Sequence, residues 1–113
     1  MNNTSPDIAL LPHASFSILF ALSLRPRHGY ELLQQIAVDS EGAATMGTGA
    51  LYGALKKLAA ANLVEDMPFE GGPRRRYYRL SMLGRGVLTA EISRLDDVVR
   101  EGKMRLQAKP RRA

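Results

Sequence analysis

Residues 48–62 read TGALYGALKKLAAAN, and leucines recur in this run at the spacing of one helical face. Leu51, Leu55 and Leu58 follow one another at intervals of four and three residues, which places them on the same side of an α-helix. The pattern therefore predicts a helix from about Thr48 to Ala61 with a buried leucine stripe. Asn62 comes next, and asparagine tolerates the left-handed conformation that commonly ends a helix.

The opposite face of this predicted helix carries glycines, which have no side chain, and basic residues. Rotation by about 100° per residue from the leucine stripe brings outward the set Gly49, Tyr52, Gly53, Lys56 and Lys57. A glycine inside a helix costs up to about 1 kcal/mol relative to alanine, which argues against an ordinary solvated face. The alternative is a recognition helix that enters the DNA major groove, with Tyr52 offering a hydroxyl and the lysines contacting phosphates.

Two more helices are predicted before this segment. Residues 14–24 are nearly all apolar or small, which is typical of a buried helix, and Arg25-Pro26 ends it because the residue before a proline avoids the helical conformation. A second helix is predicted from His28-Gly29 to about Val38, followed by a loop over residues 39–47. Two helices separated by such a loop indicate a variant of the helix-turn-helix.

Strand spacing replaces helical spacing after Asn62. A strand is predicted over residues 63–69, with Pro68 indicating an edge or a bulge, then a Gly71-Gly72-Pro73 turn and a second strand over residues 75–80. A hairpin directly after a recognition helix is the wing of a winged helix. Three arginines at its tip concentrate positive charge: Arg74, Arg75 and Arg76. They can contact phosphates or the minor groove, or they can serve only solubility.

A last helix is predicted to begin near Ser81, a favoured N-cap residue. An apolar seam with a/d-type spacing runs along this helix through Leu88, Ile92, Leu95 and Val99. Such a seam indicates either a dimer interface or the edge of the subunit's own core. The acidic residues of this helix, Glu91, Asp96, Asp97 and Glu101, are interpreted as solvated. The predicted organisation is a winged-helix DNA-binding domain at 1–81, with 1–12 mobile, a dimerisation helix at 82–106 and a basic tail at 107–113.

Composition narrows the function classes. A chain of 113 residues fits one domain with a modest core, and a net charge of +5 favours an anionic partner such as nucleic acid. The absence of cysteine excludes disulfides and thiolate zinc sites. His13 and His28 have no partners spaced as in a metal or catalytic site, so the sequence predicts no enzyme, no metal and no cofactor, and His28 is interpreted as supporting the start of its helix. No signal peptide or membrane span is visible, so the cytoplasm is the expected location. The positive charge would also suit an acidic membrane surface, but such binding needs a basic face opposite an apolar one on a helix, whereas the arginine-rich segment alternates as a strand, so no membrane partner is expected.

The chain resembles the PadR family of transcriptional regulators over roughly residues 14–95. Three stretches carry the resemblance: His28 to Leu32, Gly49 to Val64, and Gly71 to Ser81. It implies a mainly α fold with a small β-hairpin, that is, a winged helix-turn-helix plus one C-terminal dimerisation helix, as in the short members of the family. It also implies a homodimer that binds a pseudo-palindromic operator in double-stranded DNA, usually as a repressor and often released by a small-molecule effector.

Three departures from the family pattern qualify these implications. The family commonly has threonine at the position of Ala50, although Thr48 offers a hydroxyl from a flanking position, and Asn62 stands where glycine is usual. Some drug-sensing members stack ligands on a tryptophan, and this chain has none. With the apolar seam, the missing hydroxyl motivates the alternative of a winged-helix protein-interaction module without specific DNA binding.

Overall fold

The computed structural model describes residues 13–42, 45–67 and 76–108. The helices are α1 (His13–Leu22), α2 (Gly29–Asp39), α3 (Thr48–Ala60) and α4 (Met82–Gln107), and the strands are β1 (Arg27–His28), β2 (Val64–Met67) and β3 (Tyr77–Leu80). The order confirms the predicted helices, with a small antiparallel sheet in place of a simple hairpin. Several predictions lie outside the described residues: those for 1–12, Pro68, Gly71 to Pro73, Arg74, Arg75, and the tail from Lys109.

The first helix differs from its prediction in length and in burial. It ends at Leu22, because both the main-chain N–H and the hydroxyl of Ser23 donate to the Phe20 carbonyl, at 3.1 and 2.7 Å. Ile18 and Leu19 are buried, but Phe20 is 40% exposed, so α1 is covered on one side and not all round. An apolar composition overstated its burial, since one face of the helix lies at the surface.

The sheet has the strand order β1-β3-β2, with both pairs antiparallel. β2 and β3 form the wing, and β1 adds a third strand in the register Arg27↔Tyr78 and His28↔Tyr77. Two residues are too few to show strand periodicity, which is why the sequence predicted only the hairpin. Arg27 is also buried, and its Nε donates to the Ala21 carbonyl at 2.8 Å near the end of α1.

The end of α3 and the start of α4 are fastened together. Asn62 has a φ of 64°, which confirms the predicted left-handed residue, and the Leu63 N–H donates to the Leu58 carbonyl at 2.9 Å in a Schellman-type closure. Ser81 is confirmed as the N-cap of α4: its Oγ accepts from the Gly84 N–H at 2.9 Å. The same hydroxyl donates to the Asn62 carbonyl at 2.6 Å, so one side chain joins the two helices.

One hydrophobic core lies where α1, α2, α3 and the wing meet the beginning of α4. Its buried members are Ile18, Leu19, Ala21, Leu22, Leu32, Ile36, Leu51, Leu55, Leu58, Val64, Tyr78, Val87 and Leu88. The predicted seam on the last helix therefore divides: Leu88 belongs to the subunit's own core, whereas Ile92 and Val99 are 42% and 52% exposed. Only the first part of α4 packs on the body, and apolar side chains remain uncovered along the rest.

Candidate nucleic-acid interface

Helix α3 presents two chemically distinct faces. Leu51, Leu55 and Leu58 are buried, as the leucine stripe predicted. The opposite, exposed face carries the residues predicted to be outward, Gly49, Tyr52, Gly53, Lys56 and Lys57, and Thr48 at the start of the helix is exposed as well. A Cβ added at Gly49 or Gly53 would meet no atom within 4 Å, so the backbone of α3 is accessible to a partner at both glycines.

Tyr52 is less free than the helical projection suggested. It is 46% exposed, and its hydroxyl lies against Gly29, where an added Cβ would stand only 2.1 Å from Oη. The absence of a side chain at Gly29 thus lets the tyrosine of α3 rest on the first residue of α2. Helical spacing could not predict this contact, because it describes one helix at a time.

The beginning of α2, under Tyr52, is fixed by a capping box. The Glu31 N–H donates to His28 Nδ1 at 3.4 Å, and the His28 N–H donates to Glu31 Oε1 at 3.1 Å. The His28 ring also meets the Tyr77 ring edge-on at 5.6 Å, which ties α2 to the wing. The structural interpretation of His28 is confirmed.

Glu31 is the charged residue around which the start of α2 is organised. Burial raises the pKa of the Glu31 carboxyl, but the hydrogen bond from the His28 main chain and the electrostatic interactions with the His28 ring and the Arg25 guanidinium outweigh it, so the pKa is lowered overall. The Arg25 guanidinium stands 3.4 Å from Glu31 Oε2. The carboxylate is therefore held in its charged form, and the start of α2 is held with it.

The wing carries ion pairs that the sequence analysis did not foresee. Arg76 donates to Asp66, and Arg79 donates to Glu65 at 2.6 Å, so both arginines of the described part of the wing have a carboxylate partner. Arg76 was predicted to contact the DNA backbone or the minor groove, and that prediction included no partner within the chain. The antiparallel register pairs Glu65 with Arg79 and Asp66 with Tyr78, and this register, had it been known, would have revealed the cross-strand pairs.

A groove of about 230 Å³ runs between α3 and the wing. It is lined by Tyr52, Leu55, Lys56, Ala59, Asp66 and Tyr78. Burial raises the pKa of Tyr78 above 10.0, the nearby Asp66 and Tyr52 add to the rise, and Arg76 opposes it. The Tyr78 hydroxyl therefore stays protonated at neutral pH, and the groove holds one cation, one anion and two phenols.

On the last helix, one of the four acidic residues differs from its prediction and three agree with it. Glu91, interpreted as solvated, is 5% exposed, and both of its oxygens accept from Arg94, from Nε at 3.0 Å and from Nη2 at 2.7 Å. The hydrogen bond from Arg94 lowers the pKa of the Glu91 carboxyl against the opposing effect of burial. Asp96, Asp97 and Glu101 are exposed, as predicted. Of the proposed dimerisation residues, Leu95 is half-buried between buried Leu88 and exposed Ile92 and Val99.

Other kinds of site find no support in the described ranges. Residues 13–42, 45–67 and 76–108 hold no group of three or more histidine or carboxylate side chains placed to bind a metal ion. Within the same ranges, no helix combines the length and the apolar character needed to cross a bilayer.

Comparison with known proteins agrees with the fold. The chain is similar to a 37.1 kDa protein in transposon TN4556 of Streptomyces fradiae, at 37% identity over 78 residues, and this stretch spans 69% of the chain but only 21% of that protein. It is similar in structure to a PadR family transcription regulator from Clostridium difficile R20291, with a TM-score of 0.70 and 24% identity, covering 84% of this chain and 99% of that one.

A second solved structure of similar fold is BpsR of Bordetella bronchiseptica, with a TM-score of 0.68 and 18% identity over 85% of this chain and 67% of that one. The model of the transcriptional regulator PadR-like family matches residues 18–90, which is more than half of the sequence and includes α2, α3 and the wing. This family consists of transcriptional regulators and not of enzymes. The chain belongs to the PadR-like family of transcriptional regulators.

Proposed function

We propose that this PadR-family regulator binds a specific sequence of double-stranded DNA, with the outward face of α3 in the major groove and the wing along the backbone. Thr48, Gly49, Tyr52 and Gly53 would approach the bases, and Lys56 and Lys57 the adjacent phosphates. Arg74, Arg75 and Arg76 of the wing would contact the backbone or the minor groove. With these roles, residues 1–81 would form the DNA-binding domain.

The observation that carries the proposal is the pairing pattern of the cations. Six arginines of the described ranges pair with carboxylates: Arg25, Arg76, Arg79, Arg94, Arg100 and Arg105. Lys56 and Lys57 have no carboxylate partner in those ranges, and they lie beside the two open glycines of α3. Unpaired cations next to accessible backbone favour a phosphate contact, because no intramolecular pair must be broken first.

A homodimer is the form in which the protein would act. Beyond Leu95, helix α4 exposes apolar side chains that a second copy would cover, namely Val98, Val99, Met104 and Leu106, each more than half exposed. Two recognition helices related by a two-fold axis would read half-sites about one helical turn apart, which is a pseudo-palindrome. Light scattering should give the mass of a dimer, and Val99→Glu should reduce it to that of a monomer.

We further propose that the protein is cytoplasmic, acts as a repressor and is released from DNA by a small molecule. The regulation of DNA binding by 6-hydroxynicotinic acid in BpsR, a protein of similar fold, motivates the last point. Because the chain has no tryptophan, the effector would be held by other side chains than an indole ring. No cofactor or metal is required by this mechanism.

The test is fluorescence anisotropy with DNA from upstream of the protein's own gene, compared with a shuffled sequence over a range of salt. We expect binding about 10³-fold tighter to the upstream DNA. Equal, salt-sensitive binding to both probes would contradict sequence specificity at this site.

The alternative, a protein-interaction module, is favoured by the same uncovered apolar face of α4. This alternative would be supported if the chain is monomeric in solution and does not bind DNA at moderate salt.

A further inference from the structure

The two arginine–carboxylate pairs of the wing lie on opposite faces of the hairpin. Successive side chains of a strand point to opposite sides, so Asp66 and Glu65 of β2 face different ways. Asp66 lines the groove between α3 and the wing together with Tyr52 and Lys56, whereas Glu65 does not. Asp66 and its partner Arg76 therefore stand on the side of the wing that a DNA backbone would approach.

An acidic side chain in this position has a measurable consequence. It cancels the charge of Arg76 in the free protein and adds a negative charge beside Lys56. Both members of the pair are partly exposed, at 56% for Arg76 and 34% for Asp66, and exposed ion pairs are weak because water and salt screen them. Duplex DNA presents one charge per ~1.7 Å of its axis, so a phosphate can displace this carboxylate from the arginine.

We propose that Asp66 competes with DNA phosphate for Arg76 and thereby weakens binding to DNA of any sequence. The inference rests on the proposed DNA-binding function and deepens it. When phosphate takes Arg76, Asp66 stays in the groove, and at 0.1 M salt charges within about 10 Å still repel. The recognition helix must then supply enough base contacts to hold the complex. Asp66 thus restrains binding at sites where only the backbone is contacted.

The competing explanation makes a prediction of opposite sign. If Asp66 served only to hold Arg76 in a productive orientation, its removal would misplace the arginine and weaken DNA binding. Under competition, its removal frees the arginine and strengthens binding. The direction of the change therefore distinguishes the two roles without any structure of a complex.

The experiment compares Asp66→Asn with Glu65→Gln in the full chain, using anisotropy with the upstream and the shuffled DNA. Both variants remove one negative charge from the wing, so the control carries the same change in net charge. We expect Asp66→Asn to tighten binding to both probes by about three- to tenfold. Because phosphate takes Arg76 in both proteins, the slope of log K against log salt should change by less than the ~0.9 expected for one whole phosphate contact. The control should change affinity by less than about twofold. Thermal denaturation checks that both variants fold.

Each outcome decides the matter. Weaker binding by folded Asp66→Asn, or equal gains in both variants, would overturn the competition and leave the DNA-binding function standing. Failure of the wild type to prefer the upstream probe would contradict specificity at that site, while the shuffled probe would still test the competition. If neither the wild type nor Asp66→Asn binds any DNA at low salt, both proposals are wrong. A second measurement is the cost of Arg76→Gln, which should be larger in the Asp66→Asn background than in the wild type.

Discussion

Gly29 and Gly84 lie on the packed inner side of the fold, whereas Gly49 and Gly53 lie on the outward side of α3. At Gly29 the missing side chain makes room for the Tyr52 hydroxyl, and at Gly84 it makes room for the Leu63 carbonyl, 2.0 Å from an added Cβ. At Gly49 and Gly53 nothing occupies the space. In one region glycine permits contacts within the subunit, and in the other it leaves backbone available to a partner.

The largest effect should follow substitution of Gly84. The added Cβ of Gly84→Ala would collide with main chain, which cannot rotate away, so the start of α4 must separate from the end of α3. We expect the free energy of unfolding to fall by about 3 kcal/mol, measured by denaturant titration. Gly86→Ala, two residues further along the same helix and with open space around it, is the matched control. A similar loss in both variants would show that helix α4, and not the contact with Leu63, is sensitive.

Gly29→Ala should cost less, because the atom it meets is the end of a side chain. Tyr52 can swing outward, and we expect the free energy of unfolding to fall by about 1–2 kcal/mol. In the background Tyr52→Ala the same substitution should cost little, which a double-mutant cycle would show. Full additivity of the two changes would mean that the tyrosine does not rest on Gly29 in solution.

The family signature around Gly29 shows what sequence could and could not predict. Helical spacing gave the bounds of α2 and α3 closely and separated the buried leucines from the outward face, because both depend only on one helix. The contact of Tyr52 with Gly29 and the pairing of Arg76 with Asp66 depend on how elements pack. Single-element periodicity carries no information about such packing.

The last helix gives the same lesson along its length. An apolar spacing continued from Leu88 to Val99, yet Leu88 is in the core and Val99 is half exposed. Periodicity identifies the side of a helix that will be covered, but which body covers each turn is set by the tertiary arrangement. Glu91 was predicted to be solvated because glutamate is usually exposed. Its burial follows from its position on the side of α4 that faces the body and from its bidentate pair with Arg94.

The outward glycines should respond in the opposite direction from the inner ones. Gly53→Ala replaces a poor helix former where nothing obstructs a methyl group, so the free energy of unfolding should rise by about 0.5–1 kcal/mol. The same variant should bind the upstream DNA more weakly, because the added methyl group would keep the backbone of α3 away from the major groove of the DNA. Gly86→Ala is again the control: it should stabilise without altering DNA affinity. A Gly53 variant that is stabilised and binds as the wild type would remove this glycine from the interface.

The smallest effect should be found at the carboxylate that holds the inner corner beside Gly29. Glu31→Gln retains an oxygen for the His28 N–H but loses the charge, and we expect a decrease of about 1 kcal/mol or less in the free energy of unfolding at pH 7. The pKa of Glu31 is lowered by folding from 4.5, so its stabilisation is present above that pH and is lost as the pH falls through the lower value of the folded state. The difference between wild type and variant should therefore shrink as denaturant titrations are carried from pH 7 toward pH 3. Glu65→Gln, which also removes one ion-paired carboxylate, serves as the control for the change in net charge. A difference that stayed constant over this range would show that the hydrogen bonds of the capping box, and not the charge of Glu31, hold the start of α2 beneath Tyr52.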